Sequence, residues 1–279
     1  MKKHILSCLC ILLFTGVITP RKAFAGWPIG KYRDLFVPAF NYFKATDSWD
    51  VNGKKIKGAP GTGFESYALN LFEGYGISRR LDFIASLPVV YQTSKYVGGT
   101  GKGYGPTDLN MGLSYNLINS NYERFLSVQA SAIVPLYNKN NPNSDVGFGS
   151  LGSELKFSYS GNIPKRILKG CYFNTEIYYR RYFAGDGPNQ YGAFAFLGFI
   201  LSKSNQITAD VTAIKSVSTN REFNANISSI KDFSLIKPSV NFGHRFTRRF
   251  SMFVGGYYTV AGRNTAIGYG TNVSGIFHL

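Results

Sequence analysis

The sequence predicts an all-β protein: a transmembrane antiparallel β-barrel of about twelve strands behind a cleaved N-terminal leader. Three observations carry this. Segments of about ten residues alternate apolar and polar side chains, which gives each strand one oily face. The connections between them are by turns short and long, as in barrels that cross a membrane. The chain is also rich in Gly (31), Tyr (19) and Phe (23). After the leader no stretch approaches about 18 consecutive apolar residues, which excludes a helical membrane protein.

Residues 1–25 read as a signal peptide: Lys2 and Lys3, an apolar run from Ile5 to Val17, and Ala23-Phe24-Ala25 at the cleavage point before Gly26. The run is shorter than the roughly 20 residues a spanning helix needs. The mature chain, 26–279, keeps Cys171 as its single cysteine, so it holds no internal disulfide. Of the net charge of +16, Lys2, Lys3, Arg21 and Lys22 belong to the leader. Much of the rest lies in separate connections: Lys54, Lys55 and Lys57; Arg79 and Arg80; Lys165, Arg166 and Lys169; Arg248 and Arg249. No helix or stripe gathers these bases. They fit solvated turns and the anionic headgroups of outer-membrane lipid or lipopolysaccharide, and not nucleic acid.

The first strand spans about residues 31–44, with apolar residues on both faces. A Gly- and Lys-rich loop (46–63) follows; Tyr67, Leu69 and Leu71 then mark the second strand, and Leu81, Phe83, Ala85, Leu87, Val89 and Tyr91 the third. The Gly-rich segment 94–106 reads as a mobile external loop. The repeat is cleanest in the next two strands, where Leu109, Met111, Leu113, Tyr115 and Leu117 precede a polar turn (119–123) and Leu126, Val128, Ala130, Ala132 and Val134 follow it. Beyond an Asn-dense loop (138–147), the sixth strand carries Leu151, Leu155, Phe157 and Tyr159. The seventh runs over about 171–183, and the eighth, 191–201, is apolar on both faces. Ile207, Ala209, Val211 and Ala213 mark the ninth; after a polar loop (218–232), Ile236, Val240 and Phe242 mark the tenth. The eleventh carries Phe250, Met252, Val254 and Tyr258, and the twelfth Tyr269, Val273, Phe277 and Leu279.

An even strand count places both termini on the periplasmic side and the long loops outside. Strands of this length speak against a soluble β-sandwich, whose strands usually have about 5 to 6 residues. The last strand resembles the C-terminal signal by which barrel-assembly machinery takes up outer-membrane proteins, with Leu279 in place of the usual aromatic residue.

Motifs for chemistry are weak. Gly147-Phe148-Gly149-Ser150-Leu151-Gly152 fits G-x-G-x-x-G, but a strand follows where a dinucleotide site needs a helix. Lys102, in Gly101-Lys102-Gly103, lacks the Ser or Thr that follows the lysine of a phosphate loop. The mature histidines are His244 and His278, both at strand ends on the periplasmic rim, and Ser239 and Ser251 lie on the other face from His244. No nucleophile and base share a wall, so no catalytic residue, metal site or cofactor is expected.

The inward face is the informative one, since a barrel of about twelve strands encloses a narrow lumen. Most inward positions are small and polar. Phe194 and Phe196 of the eighth strand, Tyr178 and Tyr182 of the seventh, and Phe253 and Tyr257 of the eleventh are the exceptions. Together they form a surface for a small hydrophobic or aromatic solute, or else pack against each other as a plug. Glu154, Lys156, Glu176, Arg180 and Lys237 also face inward, where they pair across the lumen or their bases make a path for anions. Pro38, Pro88, Pro135 and Pro238 each remove a ladder hydrogen bond from a strand.

The segments from Leu71 to Pro88 (LFEGYGISRRLDFIASLP) and from Gly105 to Leu117 (GPTDLNMGLSYNL) resemble those of outer-membrane barrels identified as transporters of the phenol meta-cleavage pathway, a family compared with the long-chain fatty-acid channels. The resemblance implies uptake of hydrophobic or aromatic compounds across the outer membrane of a Gram-negative bacterium. The first strand starts within a few residues of Gly26, so the chain differs from the fatty-acid channels in lacking an N-terminal plug. The expected function is a passive channel for small hydrophobic or aromatic solutes. The alternatives are a general or anion-preferring porin carried by Lys156, Arg180 and Lys237, and a structural or adhesive barrel with a plugged lumen.

Overall fold

Long strands with period-two alternation suit a sheet with its apolar face in lipid, and a sheet in lipid must close to satisfy its edges. The computed structural model describes residues 27–137, 146–164, 166–168, 170–224 and 226–279. The expected signal peptide and most of the Asn-dense loop lie outside the described residues. The first half of the wall is β1 (Asp34–Trp49), β3 (Gly63–Gly76), β4 (Leu81–Tyr96), β6 (Asp108–Ser120), β7 (Arg124–Pro135) and β8 (Gly152–Asn162). The second half is β9 (Cys171–Tyr182), β10 (Asn189–Ile200), β11 (Asn205–Val217), β12 (Ser229–Arg245), β13 (Phe250–Tyr258) and β14 (Ala261–His278). Two further strands, β2 (Lys55–Ile56) and β5 (Gly99–Pro106), pair with β1 and β4 above the wall. Every neighbouring pair is antiparallel, and β14 returns to β1 from Leu35 opposite His278 to Trp49 opposite Thr265. The twelve wall strands therefore form a closed barrel, as the alternation predicts.

Register assigns the faces, because directly paired residues point the same way. Phe40, Leu69 and Val89 form one outward row across β1, β3 and β4. Ile177 is 62% exposed and Val240 59%; so many bare apolar side chains suit a lipid-facing band and would aggregate a soluble protein. Short turns and both termini share one end, where the Asp34 N–H donates to the Leu279 carbonyl. Asn121 and Tyr122 there both have positive φ (53° and 57°), the twist of a tight β-hairpin.

Three expectations change. The Gly-rich segment 94–106 is a hairpin arm, β5, in register with β4 from Val89–Pro106 to Tyr96–Gly99. Gly101, Gly103 and Gly105 alternate with Thr100, Lys102 and Tyr104, so its strand period is hidden in residues without side chains. β12 starts at Ser229, inside the expected loop, and bulges between Ser229 and Ser234. Finally, the short N-terminal segment does fold inside the barrel.

Candidate functional site

All the lumen residues singled out from the sequence face inward. Phe194 shares a row with Glu176 and with Thr212 and Lys237; Phe196 shares one with Asn174, Asp210, Ser239 and Tyr257. Arg180 lies opposite Glu154, Tyr178 opposite Lys156, Tyr182 opposite Gly152, and Phe253 opposite Gly243. They do not form one patch. Tyr178, Phe194 and Phe196 gather on β9 and β10 with Tyr172, whose ring lies 5.5 Å from Phe196. Tyr257 stacks on Phe43 of β1 at 6.2 Å, and Phe253 lies on the same strand as Tyr257. The inward residues of β11 and β12 between these panels are mostly polar: Thr208, Asp210, Thr212, Ser239 and Asn241.

In each panel two rings lie flat on the wall. A Cβ built on Gly192 would fall inside the Tyr178 ring; Gly198 stands so to Tyr172, Gly243 to Phe253 and Gly270 to Tyr257. Each ring covers a bare glycine on the next strand, which restores buried apolar area there and keeps the ring out of the bore. The aromatics thus panel the wall and do not fill it.

Two of the three inward bases pair with acids. Arg180 donates to Glu154 at 2.6 Å, and Lys156 lies 3.3 Å from Glu176. Lys237 is a diagonal neighbour of Asp210 on β11 and sits 4.6 Å over the Tyr257 ring. Asp210 in turn accepts from Ser239 and Asn241. Asp82 and Asp108 face inward as well, so the wall presents no surplus of positive charge to draw anions.

The extracellular end holds a cavity that sequence reasoning missed. Beyond β11, residues 218–224 and 226–228 cross the mouth to β4 on the opposite wall, where Gln92 Nε2 donates to the Asn226 carbonyl and Phe223 meets Tyr96 edge-on at 5.8 Å. Their root is held at Asp186, which receives Lys231 at 2.6 Å and Asn220 at 3.1 Å. Val146 and Asn226 both lie against Gly103, where a Cβ would crowd each of them at 3.1 Å. Beneath this lid lies a cavity of about 270 Å³, with Val90, Phe148 and Ile227 as apolar walls and Gln92, Asp108 and Ser228 as polar points. Tyr182 is the one residue of the sequence-derived set that lines it; its hydroxyl donates to Asp108 at 3.3 Å, and Phe148 meets its ring edge-on at 5.3 Å. The volume is slightly below the roughly 300–1,000 Å³ of common ligand pockets, a size for a single ring.

The periplasmic end is occupied by residues 27–33. Trp27 packs 5.2 Å from Phe125 of β7, with 9% and 5% of their surfaces left exposed. The Ile29 N–H donates to the Asp82 carboxylate at 3.2 Å. Gly74 and Gly76 make the seat: a Cβ on the first would strike Ile29, and on the second the Gly30 carbonyl. This corrects the expectation that the chain has no N-terminal plug. The histidines stay at this rim, as expected; His244 Nδ1 pairs with Asn205 Oδ1 at 2.7 Å. Among the described residues no three of His, Cys, Asp and Glu are grouped to hold a metal.

No family model matches the chain, and no curated protein matches it in sequence. Among solved structures it is similar to an outer-membrane channel from Pseudomonas putida F1, with a TM-score of 0.71 and 12% identity over 92% of this chain and 100% of that one. It is also similar to the NanC porin, with a TM-score of 0.52 and 9% identity over 86% and 98% of the two chains. The translocator domain of the autotransporter NalP from Neisseria meningitidis follows at a TM-score of 0.50 and 10% identity, over 99% and 94%. At such identities the likeness is one of fold, and the fold is that of an outer-membrane β-barrel.

Proposed function

We propose that the barrel is a passive channel for small solutes with one aromatic or hydrophobic body and one polar group, taken up from outside the cell. The mouth cavity carries this reading. Phe148, Ile227 and Val90 offer a ring an apolar enclosure, and Asp108 and Gln92 offer a hydroxyl its partners. Beyond the cavity the aromatic panels of Tyr178, Phe194, Phe196, Phe253 and Tyr257 give a ring weak, repeated contacts, which suits passage better than tight binding. The pairing of Arg180 and Lys156 with Glu154 and Glu176, and the Asp210 carboxylate diagonal to Lys237, make an anion path the poorer account.

The test is calorimetric binding of benzyl alcohol to the refolded barrel, beside ion conductance in a planar bilayer. The expected result is saturable binding that weakens by more than about tenfold in Phe148→Ser with Ile227→Ser, since fully burying even one such side chain contributes about 1.5–3 kcal/mol. Phe194→Ser with Phe196→Ser should slow uptake of the same solute without loss of folding. A steady anion-selective current with no binding of the alcohol would overturn the reading in favour of a porin.

A further inference from the structure

The outer wall carries a second concavity that the transport reading does not use. Ala193, Ala213, Ile236 and Ala261 form one outward row across β10, β11, β12 and β14, and Tyr191, Lys215 and Ser234 form the next outward row toward the extracellular end. Between them lies a groove of about 470 Å³ whose floor is the backbone of the intervening inward row, including Gly192 and Gly262. Both outward rows line it, so it opens to lipid and not to the bore. Three alanines in register make the depression: the bulky side chains that fill the band elsewhere are missing here.

Charge decides what fits. Lys215 stands at the extracellular lip of the groove, two residues from the end of β11, and is exposed. Arg181 is exposed on the same outer face, one row further out on β9, and Tyr179 and Tyr191 stand between the two, their rings 5.3 Å apart. Among the described residues neither base makes an ion pair. The acids nearest by topology are already engaged: Asp232 with Arg263 and Arg221, and Asp186 with Lys231. An unneutralised cationic lip above an apolar trough, in the outer leaflet, is complementary to a molecule with a phosphate at its head and a saturated chain below.

We propose that this groove is a binding site for the phosphorylated, acylated glycolipid of the outer leaflet, lipid A, with an acyl chain lying over Ala193, Ala213 and Ala261 and a phosphate held by Lys215 and Arg181. A phospholipid would fill the trough but offers its phosphate in a zwitterionic head, and the two cations would not select it. The proposal rests on the barrel alone and stands whether or not the lumen passes aromatic solutes.

Native mass spectrometry of the refolded barrel with hexa-acylated lipid A, against phosphatidylethanolamine, tests it. The expected result is one retained lipid A per barrel, lost about tenfold in Lys215→Glu and in Ala213→Trp, which fills the groove, and kept in Lys215→Arg. Dephosphorylated lipid A should bind as weakly as phosphatidylethanolamine. Heat-modifiable mobility on gels establishes that each variant is folded before it is scored. Equal retention by the wild type, Lys215→Glu and Ala213→Trp would overturn the site, and equal retention of phosphatidylethanolamine would overturn its selectivity for the glycolipid.

Discussion

Tyr178 shows how single residues keep this bore open. Its ring covers Gly192, its own register partner on the next strand, and a side chain at 192 would have to displace the ring into the lumen. Gly192→Val is therefore expected to cost about 1–3 kcal/mol, the range for overpacking a fitted site, seen as a lower urea midpoint of the heat-modifiable band. Tyr178→Ala in the same chain should recover part of that loss, because it removes the ring that the valine strikes; no recovery would show that the glycine is needed for another reason. Asp108 makes the complementary point about polarity. Its carboxylate lines the mouth cavity beside Val90, Phe148 and Ile227 and accepts from the Tyr182 hydroxyl. Hydrogen bonds to charged groups contribute about 1.5–3 kcal/mol. Asp108→Ala should accordingly weaken binding of benzyl alcohol about tenfold while leaving toluene, which lacks the hydroxyl, nearly unchanged; an equal loss for both would remove Asp108 from recognition.

Among the elements, the lid formed by 218–224 and 226–228 has a titratable hinge. Lys231 and Asn220 bond to the Asp186 carboxylate and hold it below the usual carboxylate range. A group whose pKa is lowered in the closed form stabilises that form fully above its free value, near 4, and loses the contribution as pH falls through the lowered value. Spin labels at Val97→Cys and Glu222→Cys, in a Cys171→Ser background, should report a short distance at neutral pH that lengthens below about pH 4. Asp186→Asn should show the longer distance at neutral pH, with the acid step gone. The lid also marks where sequence reasoning stopped. Period-two alternation revealed the wall, its faces and the inward set from Glu154 to Tyr257, because each of those facts depends only on the parity of a residue within its own strand. The lid site has no such period: Gln92 and Asn226 meet across the mouth from opposite walls, and Gly103 is needed there for the room it leaves. β5 was hidden for the same reason, since every inward residue from 101 to 105 is glycine.

At the scale of the whole molecule the lumen is narrowed twice, by the lid outside and by residues 27–33 inside. The inner stopper is also a long-range product: Ile29 reaches Asp82, and Trp27 reaches Phe125, from a segment too short to show any pattern. Two constrictions of similar resistance in series share the barrier, so opening either one alone leaves the other to limit the current. Trp27→Ala with Ile29→Ala is expected to raise conductance only slightly while the lid is closed, and Asp186→Asn with Phe223→Ala only slightly while the stopper is seated. The chain carrying all four changes should conduct steadily, well beyond the product of the two separate gains. Single-channel recording of protein refolded from Gly26 onward measures this directly. A full increase from the Trp27 and Ile29 changes alone would place the whole barrier at the periplasmic end and reduce the lid to a binding element. No increase in the combined variant would place the barrier in the wall itself, among the paired charges of β8 and β9, and the aromatic panels would then line a closed core.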